Sequence, residues 1–381
     1  MRIRKFSFLE KYDSQSYLQN VREFLKKLSK MKYMCVNIDY DGMLTSCLIK
    51  SVFPNIKIVG FNDGKNHIWI KKGYEDKEMV WVDYHINGGM CIDQHVTTNK
   101  SVKFDGNMYN PNILLEISNQ NYGDKYPFGI YHILRADLEK LGYNLKNINL
   151  DFSIMDVCKL VEIEMRADST LGSFVNEKYR EKSREYRKIM CEDLKEDSIT
   201  NRFFSEMDKQ VLCGINNSNT YDKWKRSFTK KVRKTFDITN GTGYKSLSCG
   251  FFNLFEEIHK AFGLEFDVDT NQNNYIDNKL VRFRYSSPDQ DCLDTISNDE
   301  RVVSGIFPYK NTFSLQVEPQ DAKGIANEYW EHLDRNKHIN ERCMDENGRT
   351  VFIRRSNEDG SGYFEKKVGS SKKSEWVMWN D

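Results

Sequence analysis

The chain has 381 residues, long enough for two domains, with 39% hydrophobic and 13% aromatic residues to build a core. Its 57 basic and 56 acidic residues leave a formal charge of +1, which excludes a bulk polycation and confines any nucleic-acid contact to a local basic patch. Nine scattered cysteines without a Cys-x-x-Cys pair exclude a disulfide framework and a zinc ribbon, and no apolar run approaches the roughly 18 residues of a membrane span. The first ten residues mix charged with apolar side chains and do not read as a signal peptide, so a cytoplasmic protein is expected.

Tyr17, Leu18, Val21, Phe24, Leu25 and Leu28 recur at helical spacing and predict an amphipathic helix over residues 14–30. Residues 33–39 form an apolar run that suits a buried strand, broken by Gly42, with a helix expected over 43–51. Further strands are expected at 56–61, 79–83 and 90–93, and a helix between Pro127 and Gly142. Residues 152–165 carry apolar positions at helical spacing. Alternating strands and helices predict an α/β fold with a mostly parallel sheet. Residues 176–197 are dense in charge and read as a solvated connecting helix. Beyond them, a helix at 251–262 and strands at 281–285 and 313–317 suggest a second, α+β domain. The expected division is 1–175, a connector at 176–200, and 201–381.

The chemistry-bearing residues stand where strands end. Asp39-Tyr-Asp41-Gly42 follows the first strand, Asp83 the one at 79–83, and Asp93-Gln94-His95 the next. In an open α/β sheet the ligand crevice lies at the carboxyl ends of the strands. Read alone, Asp39-Tyr-Asp41-Gly42 is equally a turn, and His95 a loop residue. Carboxylates repeated along one sheet edge repel one another unless a cation sits among them, which favours a site for hard divalent ions.

These motifs resemble those of the DHH-type phosphoesterases. The first family motif is matched by Val36-Asn-Ile-Asp39-Tyr-Asp41-Gly42, the second by Asp83, the third by Asp93-Gln94-His95 and the fourth by Arg166-Ala-Asp168-Ser-Thr-Leu-Gly172. Order and spacing agree over about residues 33–175. The resemblance implies an enzyme that hydrolyses a phosphodiester of a nucleotide or single-stranded nucleic acid. It implies two divalent ions, Mn²⁺ or Mg²⁺, held by Asp39, Asp41, Asp83 and Asp168, with His95 acting on the scissile phosphate and Asp93 orienting it. The family's first histidine is Gln94 here, a weaker oxygen ligand, and His85 is a candidate to supply the missing nitrogen. The family's Gly-rich C-terminal stretch has no clear counterpart; Gly241-Thr-Gly243 is the nearest.

Two other readings compete. Asp39-Tyr-Asp41-Gly42 is also similar to the first motif of haloacid-dehalogenase-type phosphatases, in which the first Asp is a nucleophile and the second an acid/base. The stretch from Lys223 to Lys234 interleaves Trp224 and Phe228 with cations; without a partner it reads as the solvated face of a helix, and it could instead serve a non-catalytic nucleic-acid- or protein-binding protein on a degenerate phosphoesterase scaffold. In the phosphoesterase reading, Lys230, Lys231, Arg233 and Lys234 would bind the rest of the substrate. Asn110-Pro-Asn112 and the Asn-rich residues 271–274 read as turns, and Lys125-Tyr-Pro127 as a helix start. Oligomeric state is left open by the sequence.

Overall fold

A computed structural model describes residues 13–145, 153–155, 158–237, 247–287 and 289–330, together with strands at 341–344, 350–355, 362–367 and 374–378. The Gly241-Thr-Gly243 pair and the first twelve residues lie outside the described residues.

Helix α1 (Ser14–Leu28) starts at Asp13, whose side chain accepts from the amide of Gln15, and buries Tyr17, Val21, Phe24, Leu25 and Leu28. Strand β1 (Tyr33–Asn37) then sends Met34 and Val36 to one core and Cys35 to another, the period-two signature of a sheet buried on both faces. Asp39 caps helix α2 (Tyr40–Val52), which therefore begins three residues earlier than the spacing predicts. Gly42 is obligatory there: a Cβ would lie 2.2 Å from the carbonyl oxygen of Asn37. Strands β2 (Lys57–Asn62), β3 (His67–Lys71), β4 (Val80–Val82), β5 (Met90–Ile92) and β6 (Met108–Tyr109) follow.

The short helix α3 (Pro111–Leu114) leads to α4 (Ile130–Lys140), which starts after Gly129, three residues beyond Pro127. The helix expected over 152–165 is a correction. Its first part is a ribbon of β7 (Ser153–Met155) and β8 (Cys158–Lys159), and only α5 (Leu160–Glu164) is helical. Short apolar runs do not separate strand from helix by spacing alone.

Helix α6 (Thr170–Val175) precedes α7 (Glu177–Cys191), the expected solvated connector. Instead α7 packs inward through Ser183, Tyr186, Ile189 and Met190, and the Tyr186 hydroxyl donates to the carbonyl of Asp124 at 2.7 Å. Charge density hid an apolar stripe of few residues. Helices α8 (Ile199–Leu212), α9 (Ser218–Thr235) and α10 (Cys249–Ala261) share the same core as α1 and α2, so the core runs on past the boundary expected near residue 200. Phe61 of β2 shows why: its ring lies 5.4 Å from Phe251 and 5.9 Å from Phe252 of α10. Each such buried ring contributes roughly 1.5–3 kcal/mol.

Strand β9 (Tyr275–Lys279) returns to the first sheet, antiparallel to β3. The sheet order is β6-β5-β4-β1-β2-β3-β9, with β3 alone reversed. The architecture is thus α/β, a mostly parallel seven-stranded sheet flanked by helices. Strand β10 (Val281–Ser286), helix α11 (Gln290–Ser297) and strands β11 (Val302–Tyr309) and β12 (Thr312–Val317) build a separate antiparallel sheet of order β10-β12-β11. Helix α12 (Ala322–Trp330) and a four-stranded antiparallel sheet, β13 (Glu341–Met344) to β16 (Ser374–Met378) through β14 (Thr350–Arg355) and β15 (Gly362–Lys367), complete the described chain. Among the described residues no helix is long and apolar enough to cross a membrane, and the seven described cysteines with placed side chains are free thiols.

Candidate active site

From β1 the chain moves outward through β2 on one side, then returns to lay β4, β5 and β6 on the other. The strand order therefore reverses between β1 and β4, and a crevice opens at their carboxyl ends. Asp39 and Asp83 stand on the two sides of that crevice, with Asp93 after β5 and Asn110 after β6.

Asn37 ties the two flanking carboxylates together. Its Nδ2 donates to Asp83 Oδ2 at 2.9 Å, to the Asp83 carbonyl at 3.1 Å and to Asp39 Oδ2 at 3.3 Å. Asp83 has φ 54° and Asp168 φ 38°, so two of the gathered carboxylates sit in left-handed backbone that non-glycine residues rarely adopt. Such strain persists only where the surroundings over-determine it, and it clusters at functional sites.

Asp39, Asp83, His85, His95 and Asp168 line one side of a cleft of about 250 Å³. The opposite wall is the antiparallel sheet, which brings Arg282, Ser304, Ser314 and Gln316, while Lys65 closes the end beyond β2. That sheet is docked on the strand ends: the Phe307 amide donates to the Val96 carbonyl at 2.6 Å and the Tyr84 hydroxyl to Gln316 Oε1 at 2.5 Å.

Burial raises the carboxyl of Asp83 well above its ordinary value, and the charges of Asp39, Asp41, Asp168 and Asp93 raise it further. Burial and the charge of Asp168 raise Asp39 in the same way. Asp93 behaves oppositely: burial works against its charge, but His95 holds it below the usual carboxylate range. His95 Nδ1 sits 2.7 Å from Asp93 Oδ1. Burial opposes the imidazolium, yet Asp93 and then Asp168 outweigh it and push His95 up to about 9.

Asp41, expected as a metal ligand, does not line the cleft. It is fully buried, and its Oδ2 and Oδ1 accept from the amides of Ile130 at 2.7 Å and Tyr131 at 3.0 Å. It caps α4 from outside, and Gly129 must lack a Cβ because one would lie 2.7 Å from Asp41 Oδ1. Gln94 donates Nε2 to Asp168 Oδ2 at 2.6 Å, which leaves Gln94 Oε1 buried without a partner. Asp83 Oδ1 is in the same state. His85 Nε2 pairs with Asn87 Oδ1 at 2.9 Å, while its Nδ1 is buried and unpartnered beside the cleft.

Two unpartnered buried oxygens among crowded carboxylates fit a hard divalent cation, since each buried orphan acceptor otherwise costs about 1–3 kcal/mol. Oxygens of Asp83 and Asp93 and a nitrogen of His95 also lie within 4.8 Å of one another, a set able to hold an ion.

Neither protein-family models nor curated proteins give a match to this chain.

Several contributors escape a reading of the sequence. Asn110 Nδ2 donates to the His95 carbonyl at 2.8 Å and Asn112 Nδ2 to the Gln94 carbonyl at 2.6 Å. The Asn110-Pro-Asn112 turn thus holds the Gln94-His95 backbone, and the only sequence signal was asparagine density. Lys65 and Arg282 carry no motif at all. Conversely, Lys230, Lys231, Arg233 and Lys234 lie on α9 and none lines the cleft. On that helix Tyr221 and Phe228 are buried, and Trp224 stacks on Phe228 at 5.4 Å, so the rings expected to meet bases pack against protein.

Proposed function

We propose that the protein is a metal-dependent phosphoesterase that hydrolyses a phosphodiester of a nucleotide or single-stranded nucleic acid. One observation carries this reading: Asp39, Asp83, Asp168 and His95 converge on one cleft at the sheet's switch point, with cations on the facing wall.

Asp39, Asp83 and Asp168 would hold the divalent ions, Mn²⁺ or Mg²⁺, with Gln94 Oε1 and His85 Nδ1 as further donors. Bound there, the ions supply a water of lowered pKa and neutralise charge on the phosphoryl oxygens. The chain's own residues do the rest. Asp93 orients His95 and favours its protonated form. His95 can then donate to a phosphoryl oxygen or to the departing oxygen. Arg282 meets phosphate from the far wall and Lys65 from the end of the cleft, and Asn37 fixes the spacing of Asp39 and Asp83.

The haloacid-dehalogenase reading requires the second aspartate to move a proton. Asp41 has both oxygens engaged by amides at the start of α4, which argues against that reading.

The test is hydrolysis of bis(p-nitrophenyl) phosphate and of a short single-stranded oligonucleotide by the full chain. Turnover is expected with Mn²⁺ or Mg²⁺ and lost in chelator. Equal turnover in chelator, or none with either substrate in either metal, would overturn the proposal.

A further inference from the structure

Beside the His95–Asp168 corner the surface gathers tyrosines and lysines that the hydrolytic reading leaves unused. Lys125 Nζ donates to the Tyr122 hydroxyl at 2.9 Å and stands 4.8 Å from that ring's centre. Lys178 stands 5.4 Å from the centre of the Tyr179 ring. The Tyr122 hydroxyl donates to the carbonyl of Pro308, which brings the β11–β12 hairpin tip and its Tyr309 to the same place. Asn311 fixes that tip by donating its amide to Asn119 Oδ1 at 2.7 Å. Tyr309 is 64% exposed, one of few large apolar side chains so open among the described residues.

The corner is joined to the reacting centre through backbone. The Tyr126 amide donates to Asn112 Oδ1 at 2.8 Å, and Asn112 Nδ2 holds the Gln94 carbonyl at 2.6 Å. The Lys125-Tyr126 backbone is therefore tied through Asn112 to the Gln94-His95 segment. A partly buried lysine that, among the described residues, has no carboxylate within ion-pair distance, next to anion chemistry, is suited to a phosphate oxygen. Rings grouped around such cations suit a nucleobase, because every base has a π-face and its backbone supplies the negative charge.

We infer that Tyr122 and Tyr309, with Lys125, form a nucleobase-and-phosphate subsite flanking the carboxylate cleft. The substrate is then a short single-stranded nucleic acid or a dinucleotide, held by the base next to the scissile phosphate; this use of the subsite rests on the hydrolytic reading proposed above. Tyr309 supplies the stacking face from the hairpin tip, and Lys125 meets the phosphate between base and cleft.

Binding separates this claim from the hydrolytic one. Fluorescence anisotropy of a labelled pentathymidylate and of an abasic strand of equal charge is measured on the full chain with Ca²⁺ in place of Mn²⁺. Wild type is expected to prefer the base-bearing strand by about tenfold or more, within the range of base–aromatic stacking. Tyr309→Ala should erase that preference and Tyr309→Phe keep it, while both variants bind the abasic strand like wild type. No preference in wild type, or full preference in Tyr309→Ala, would overturn the subsite. A base preference that follows Tyr309, in a protein that cleaves nothing with Mn²⁺, would leave the subsite standing and sink the hydrolytic reading. Mn²⁺-dependent cleavage without base preference would do the reverse.

Discussion

Asp83→Asn is expected to lower phosphodiester hydrolysis on the order of a thousandfold while the metal-free protein melts at a higher temperature than wild type. The first effect follows from removing a charged ligand from the centre, since several kcal/mol of transition-state stabilisation corresponds to about three decades in rate. The second follows from burial. Asp83 is 2% exposed, and its carboxyl is raised by burial first and then by Asp39, Asp41, Asp168 and Asp93. A carboxyl raised in the folded state weakens folding as pH climbs from the ordinary carboxylate value through the raised one, and the penalty is fully present above it. Asparagine removes that charge, can keep a hydrogen bond with Asn37, and tolerates the left-handed φ of 54° better than most residues. Scanning calorimetry in chelator therefore finds the variant more stable at neutral pH, with the gap closing in acid. A variant less stable than wild type in chelator would show that Asp83 is a structural residue.

Glu164→Ala is expected to cost about 3–5 kcal/mol of folding stability, because it leaves a buried guanidinium without its counter-charge. Arg135 and Glu164 are both fully buried, and Arg135 Nη1 donates to the two Glu164 oxygens at 3.1 Å each. The Tyr131 hydroxyl donates to Glu164 Oε1 at 2.7 Å, and Arg135 lies 4.9 Å and 5.0 Å from the ring centres of Tyr131 and Phe203. The pair binds α4 to α5, and α5 leads directly to Asp168. Replacing both partners, Arg135→Met with Glu164→Leu, should recover most of the loss, since well-packed apolar groups of similar volume often match a buried ion pair. Urea denaturation measures both. A loss under about 1 kcal/mol in Glu164→Ala would mean that Arg135 finds other partners or water.

The sheet was legible because parallel strands buried on both faces read as apolar runs, as 33–37 and 80–82 do, and because each ended in a carboxylate. The strand order, and with it the crevice between Asp39 and Asp83, depends on which runs pair, and pairing leaves no local mark. Asp41 looks like a ligand because it stands beside another carboxylate, while its hydrogen-bond partners, the amides of Ile130 and Tyr131, lie far along the chain and leave no local mark. Helix α9 has the form of a solvated helix face. Its cations are outside and its aromatics inside, as an amphipathic helix requires, and only packing shows which rings are spent. Arg282 became visible only once the antiparallel sheet was set against the strand ends, and Lys65 only once the β2–β3 turn closed the cleft.

The central claim is that the strand-end carboxylates form a divalent-metal centre. Calorimetric titration of the metal-free full chain with Mn²⁺, beside Asp83→Asn, tests it most directly. Saturable binding of two ions to wild type is expected, weakened more than about tenfold in Asp83→Asn. No saturable binding to wild type, or equal binding by both proteins, would contradict it.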